Sequence, residues 1–269
     1  QAVRAGDRTR SPMGLLAVGP MGAGKTFVIK AFLKEAGLTG VALKNFRSKW
    51  VGATESNLER VLATVKAMGP IALVIDEGDR SFGSGGGDDN DGGTSSRVIA
   101  RLKEFMSDPE NRGQVLFILM TNRPDKLDTD IKRPGRLDRK IPFFYADSAA
   151  ERAAVVAAIL RRYDGGGLEA GALETLCADM EGYSNADLEA VALLALEFAG
   201  RAGRSLDAAL FAEAVADFIP PQEHDMIRYM ELLAVAETSR RSLMPPRFKS
   251  MSATDLRAEL SALRLKISR

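Results

Sequence analysis

Gly19-Pro20-Met21-Gly22-Ala23-Gly24-Lys25-Thr26 is the stretch on which the reading of this chain turns. It fits G-x-x-x-x-G-K-[ST], the phosphate-binding P-loop. Met13 to Val18 precede it as a short apolar run suited to a buried strand. Phe27 to Ala36 follow as a helix, stopped by Gly37. Strand, loop and helix are the context the motif requires. Glycines let the backbone wrap closely around an anion, and N–H groups at the helix start face it. The Lys25 ammonium can reach the outer phosphates, and the Thr26 hydroxyl can ligate Mg²⁺.

The chain has 269 residues, 45% of them apolar, enough for one large domain or two small ones. Lys plus Arg total 37 and Asp plus Glu total 36, a formal net charge of +1. This balance argues against a general nucleic-acid or membrane-surface binder. No apolar run is long enough for a transmembrane helix, and no signal-like segment opens the chain. Cys177 and His224 are each the only residue of their type. That rules out an intrachain disulfide, speaks against the usual zinc sites and suits a reducing cytoplasm. The chain opens at Gln1, which reads as a fragment of a longer protein.

Residues 1–12 read as an extended lead-in. Further strands are expected at Val41 to Lys44, Ile71 to Ile75, Gln114 to Met120 and Ile141 to Tyr145. Helices are expected at Thr54 to Met68 and Ser95 to Met106, with a short helical turn at Asp128 to Ile131. Ile71 to Ile75 is apolar throughout, which suits a central parallel strand. It ends in Asp76-Glu77, at the strand end where open α/β sheets bind ligands. Asp76 is placed to hold Mg²⁺ and Glu77 to activate water. The strand 114–120 ends in Thr121-Asn122-Arg123-Pro124. On local grounds Asn122 reads equally well as a phosphate or water contact and as a turn asparagine. Ser81 to Gly93 is rich in Gly and Asp and reads as a flexible loop. Arg133-Pro134-Gly135-Arg136-Leu137-Asp138-Arg139 carries three arginines in seven residues.

From Ser148 the pattern is helical only. Ala149 to Tyr163, Leu168 to Met180, Asn185 to Gly200 and Leu206 to Phe218 are amphipathic. Ser184 is the expected N-cap of the third, with Asp187 at the capping-box position. Glu223 to Arg240 and Thr254 to Ile267 read as two more helices, joined by a Pro-containing link at Leu243 to Phe248. The expected organisation is α/β. A P-loop three-layer sandwich with a parallel five-stranded sheet fills residues 1–147. A small all-α lid fills 148–219, and a C-terminal helical extension fills 220–269.

The order of P-loop, acidic strand, Asn strand and Arg cluster resembles the AAA branch of the AAA+ ATPases, over about residues 13–219. Three segments carry the resemblance. Ser48 to Gly52, with Glu55-Ser56-Asn57-Leu58, looks like that family's aromatic pore loop and the helix after it. Val74 to Asp79 looks like its Walker B, with Gly78 where an apolar residue is usual. Thr121 to Pro124 through Arg133 to Asp138 looks like its second region of homology. The resemblance implies Asn122 as a γ-phosphate sensor, and Arg133 and Arg136 as arginine fingers that reach a neighbouring subunit's nucleotide. It implies a homo-oligomer, usually a hexameric ring. It implies Lys49, Trp50 and Val51 as a substrate-gripping pore loop; the competing reading of Trp50 is a core residue. Ser81 to Gly93 falls where a second pore-facing loop is found. The nucleotide site is expected to use Pro20, Met21, Gly22, Ala23, Gly24, Lys25, Thr26, Phe27, Asn185 and Ala186. Asn185 stands where the family has Gly in the lid motif Gly182 to Asp187. Only 18 residues precede Gly19, fewer than family members carry there.

The function expected is therefore that of a cytoplasmic, Mg²⁺-dependent ATP hydrolase whose ring remodels a protein substrate of unknown identity. A nucleotide-dependent switch or assembly factor without threading is the alternative. A nucleic-acid motor is disfavoured by the absence of a basic stripe. No H-E-x-x-H zinc-protease signature is present.

Overall fold

The computed structural model describes residues 2, 3, 5–43, 55–82, 94–165, 168–221 and 223–268. The described residues form two compact units. The larger comprises Gln1–Gly19, Lys25–Phe143 and Arg228–Arg269; the smaller comprises Pro20–Gly24 and Phe144–Ile227. The division differs from the motif boundaries: residues from Arg228 onward group with the sheet rather than standing apart.

The larger unit is built on five parallel strands in the order β2-β3-β4-β1-β5. They are β1 Gly14–Val18, β2 Thr39–Ala42, β3 Ile71–Ile75, β4 Val115–Thr121 and β5 Arg139–Pro142. All seven residues of β4 are buried. A strand covered on both faces needs apolar side chains on both, and so loses the alternation of a half-exposed strand. Leu116, Ile118 and Met120 pack with Leu15, Ala17, Ile29 and Leu33. Ile29 and Leu33 belong to α1 (Lys25–Ala36), which presents its buried stripe to that face. Phe117, which alternates with those β4 residues, meets Phe105 of α4 (Thr94–Ser107) edge to face, with centroids 5.8 Å apart. Helices α2 (Glu55–Ala67) and α3 (Gly78–Phe82) complete the first part of this unit.

The register fixes where the strands end. Val18 pairs with Thr121, and Ile75 pairs with Leu119. Gly19, Asp76 and Asn122 therefore each follow the last residue of a central strand, at the same edge of the sheet.

Four expectations shift in this unit, the first being β2, which is Thr39–Ala42 rather than Val41 to Lys44. The lead-in is not extended: Gly6 and Asp7 donate backbone bonds to Val3 and Ala2, and Val3 is buried. The last strand is Arg139–Pro142 rather than Ile141 to Tyr145. As an edge strand it is only half buried and tolerates Arg139 and Lys140, so its apolar pattern misplaces the ends. Asp128 to Ile131 is a turn closed by Ile131 N–H to the Asp128 carbonyl, and the 3-10 turn falls earlier, at Pro124–Lys126.

The smaller unit holds α5 Ala149–Arg162, α6 Ala170–Leu176, a 3-10 turn Cys177–Met180, α7 Asn185–Ala202 and α8 Ala208–Asp217. Its core includes Val156, Leu160, Leu173, Leu188, Val191 and Phe211. Ser148 with Glu151 and Ser184 with Asp187 close reciprocal capping boxes on α5 and α7. Arg152 is 4% exposed and donates to the carbonyls of Cys177, Ala178 and Asp147. Burial pushes the Cys177 thiol up to about 11.

Beyond α8 the chain forms α9 His224–Glu237, α10 Pro246–Lys249 and α11 Ala253–Ile267. The link expected between the last two helices contains α10, where Phe248 is 1% exposed. Arg228 forks onto Glu259 at 2.7 and 3.2 Å, tying α9 to α11.

Gly78 shows why the apolar residue usual in such a segment is absent. A Cβ there would lie 2.3 Å from the Leu119 side chain of β4. Gly78→Val is expected to destabilise the fold by about 1–3 kcal/mol in urea unfolding. Combined with Leu119→Ala it should cost less than the sum of the single changes.

Candidate nucleotide-binding and hydrolysis site

Within the sheet unit, Lys25 is the first residue of α1 and is 8% exposed. Its Nζ donates to the Gly19 carbonyl at 2.8 Å and to Asn122 Oδ1 at 2.6 Å. Those oxygens stand at the ends of β1 and β4, adjacent strands in register. Burial pulls the Lys25 ammonium down to about 8, opposed by the carboxylates of Asp76 and Asp79. Asn122 is thus more than a turn residue: its amide oxygen solvates the P-loop lysine.

The Thr26 hydroxyl donates to Asp76 Oδ2 at 3.2 Å. The two hard oxygens fit a small divalent cation that takes few protein ligands and completes its shell with phosphate and water. Asp76 Oδ1 accepts from the Glu77 backbone N–H at 2.9 Å. Glu77 is exposed and sits at φ 51, a left-handed conformation uncommon for a residue with a Cβ. Such backbone conformations concentrate at functional sites.

Asp79 and Thr121 carry no role in the sequence reading. The Thr121 hydroxyl donates to Asp79 Oδ1 at 2.7 Å, joining α3 to the end of β4. The signal for Asp79 was its place inside the acidic segment 74–79. Thr121 falls inside the quoted segment Thr121 to Pro124, but nothing there pairs it with Asp79.

Within the helical unit, residues 20–24 of the P-loop meet the start of α7. The Asn185 amide donates to the Ala23 carbonyl at 3.2 Å. Gly24 sits at φ +82, and a Cβ on it would stand 3.2 Å from that amide nitrogen. Asn185 Oδ1 is buried with no hydrogen-bond partner among the described residues. A Cβ on Gly22 would lie 2.7 Å from the Ser184 hydroxyl and 3.3 Å from Ala186 Cβ. The Tyr145 hydroxyl donates to the Met21 carbonyl at 2.6 Å, a contact no sequence motif announces. Phe27, next after Thr26, has 63% of its surface exposed.

The two arginines of the 133–139 segment differ. Arg133 is 72% exposed at its side chain and meets Asp130 at 3.2 Å. Arg136 is 19% exposed and turned inward, bonded to the Asp130 carboxylate, the Asp130 carbonyl and the Ser107 hydroxyl. Asp138 anchors the segment, accepting from Met13 N–H at 2.7 Å and Gly135 N–H at 2.6 Å. Lys49, Trp50 and Val51, and most of the Gly- and Asp-rich loop, lie outside the described residues.

The parallel sheet, the P-loop and the acidic strand end define a P-loop nucleoside-triphosphatase domain. Residues 15–145 match the model of the "ATPase family associated with various cellular activities (AAA)". The chain belongs to that family of ATPases. The ATPase family protein 2 homolog of Caenorhabditis elegans is 32% identical over 220 residues, 79% of this chain and 30% of that protein. The Cell division cycle protein 48 homolog of Archaeoglobus fulgidus is 34% identical over 185 residues, 68% of this chain and 25% of that protein. The ATP-dependent zinc metalloprotease FtsH 4 of Sphaerobacter thermophilus is 33% identical over 228 residues, 81% of this chain and 33% of that protein. The chain thus spans a quarter to a third of the length of these relatives. The solved FIGL-1 AAA domain shares the fold, with a TM-score of 0.72 at 20% identity, over 88% of this chain and 84% of that one. No helix among the described residues is long and apolar enough to cross a membrane.

The Lys25 environment makes a signed prediction. Its folded pKa of about 8 lies below the 10.5 usual for a lysine in water. The unfolded chain therefore binds more protons between those values, so this group makes stability rise with pH across that window. Relative to Lys25→Met, the wild-type protein should gain about 3 kcal/mol between pH 8 and 10.5 in urea unfolding. Comparison with Lys25→Met cancels the thiol and tyrosine titrations common to both.

Proposed function

We propose that this chain is the ATP-hydrolysing engine of a homo-oligomeric, hexameric ring that remodels a protein substrate in the cytoplasm. The observation that carries the reading is the convergence on Lys25 of oxygens from two strand ends, beside the Thr26–Asp76 pair and Glu77. A lysine buried at this cost suits a polyanion that stabilises its charged form. Within the sheet unit, backbone N–H groups of Lys25 and Thr26 take phosphate and the exposed Phe27 ring serves the base; within the helical unit, Asn185 and Ala186, beside Gly22 to Gly24, serve the ribose. The orphaned Asn185 oxygen is an acceptor, and the sugar and base carry the donors it lacks.

Thr26 and Asp76 would hold Mg²⁺, which when bound neutralises charge on the phosphate oxygens. The Glu77 carboxylate accepts a proton from the attacking water, and Asn122 keeps Lys25 aimed at the outer phosphates. Charge on the transferring phosphoryl group calls for a further cation. Arg133, exposed on its loop, supplies it to the neighbouring subunit, and Arg136 braces that loop through Asp130 and Ser107. Lys49, Trp50 and Val51 grip the substrate. The single buried Cys177 suits a reducing compartment. The name of one relative, an ATP-dependent zinc metalloprotease, accords with work on proteins.

Glu77→Gln is expected to bind ATP with near wild-type affinity while turnover falls by about 10²-fold or more. Sizing of that variant with ATP should show a hexamer that is absent without nucleotide. Retained turnover would remove Glu77 from its role, and a monomer at saturating ATP would remove the ring. Trp50→Ala should abolish substrate processing and spare ATPase activity; unchanged processing would favour the switch reading.

A further inference from the structure

We propose that α9 is a strut joining the loop after Asn122 to the loop that presents Arg133, with Glu237 as its positioning residue. The proposal rests on the sensor and finger roles given above. Polar contacts within the sheet unit stand at both ends of one face of this helix. Tyr229, Leu233 and Glu237 recur at i, i+4 and i+8, and Tyr229 and Leu233 are buried.

At the Tyr229 end, the hydroxyl meets Asp125 Oδ2 at 3.2 Å. Arg123 lies over the Tyr229 ring, 5.2 Å from its centroid, and forks onto Asp125 at 3.0 and 2.8 Å. Arg123 is the residue after Asn122. At the other end, one Glu237 oxygen takes Lys132 and the other takes Lys140 at 2.8 Å. Lys132 is the residue before Arg133, and its Nζ also donates to the Pro124 carbonyl at 3.0 Å. Lys140 lies on β5, next to the strand that feeds the P-loop. Ser239, just past the helix, exchanges bonds with the Lys140 backbone at 3.2 and 3.4 Å.

Glu237 and Lys132 are each only 15% exposed at the side chain. A helix needs only an apolar face to dock. A carboxylate held between two partly buried ammonium groups fixes one docking position and is costly in any other. The contacted residues flank Asn122 and Arg133. The strut therefore makes the two loops move together, so that a phosphate-driven shift at Asn122 reaches the guanidinium offered to the next subunit. Two turns of helix separate Tyr229 from Glu237, about 12 Å at 1.5 Å per residue.

A double-mutant cycle on ATPase activity tests this. Arg133→Ala is expected to lower kcat by at least about 10²-fold. Glu237→Gln, which keeps the side-chain shape, should lower kcat about tenfold with ATP affinity unchanged. The double variant should be no slower than Arg133→Ala alone, because Glu237 acts through Arg133. A merely structural Glu237 would cost the same factor in both backgrounds, or lower affinity in parallel, and either outcome overturns the strut. So does a Glu237→Gln variant with wild-type kcat. A silent Arg133→Ala instead removes the finger reading, and the strut with it. If Glu237→Gln does not fold, Tyr229→Phe deletes one hydroxyl and keeps the packing. It must show the same non-additivity, and additivity there counts against the strut equally.

Discussion

A buried ammonium has to be solvated by protein oxygens, and much of this molecule's local design follows from doing that for Lys25. The Gly19 carbonyl and the Asn122 amide oxygen stand close to it because β1 and β4 are adjacent, parallel and in register. Asp76 and Asp79 add a negative field without removing the cost of burial. Shifting β4 by one residue would turn its side chains to the opposite face and carry Asn122 away from the lysine. The apolar packing on both faces of β4 and the polar chemistry at its end are therefore one constraint.

What the sequence made legible was local or periodic. The strand–P-loop–helix unit, the buried acidic strand and the Ser184–Asp187 capping box each have signals within a few residues. Asn122 was half legible. Its place at a strand end could be read, but its bond to Lys25 spans 97 residues and depends on strand order. The edge strand was misplaced because half-exposed strands tolerate charge. Gly78 departs from the family pattern because Leu119 fills the space a side chain would need. The Tyr145–Met21 bond and the Thr121–Asp79 bond had no signal, since a lone hydroxyl finds its partner only in the folded chain.

The C-terminal segment shows the same limit more sharply. The sequence pattern reads Glu223 to Arg240 as a helix, but does not show what that helix covers. Glu237 reads in sequence as an ordinary solvated carboxylate, and its partner Lys132 lies 105 residues away. The structure groups this segment with the sheet, and its polar contacts fall beside Asn122 and Arg133. The two arginines, equivalent by spacing, are also separated by the fold: one is exposed, the other turned inward on Asp130 and Ser107.

Lys25, held ready for phosphate at the end of the sheet, is the group on which nucleotide binding turns. The most direct measurement is equilibrium titration of ATP into the wild-type protein and into Lys25→Met at neutral pH. The account predicts a loss of affinity of about 10²-fold or more in the variant, with its fold intact. Equal affinities would contradict it and leave the buried lysine as a structural feature of the sheet.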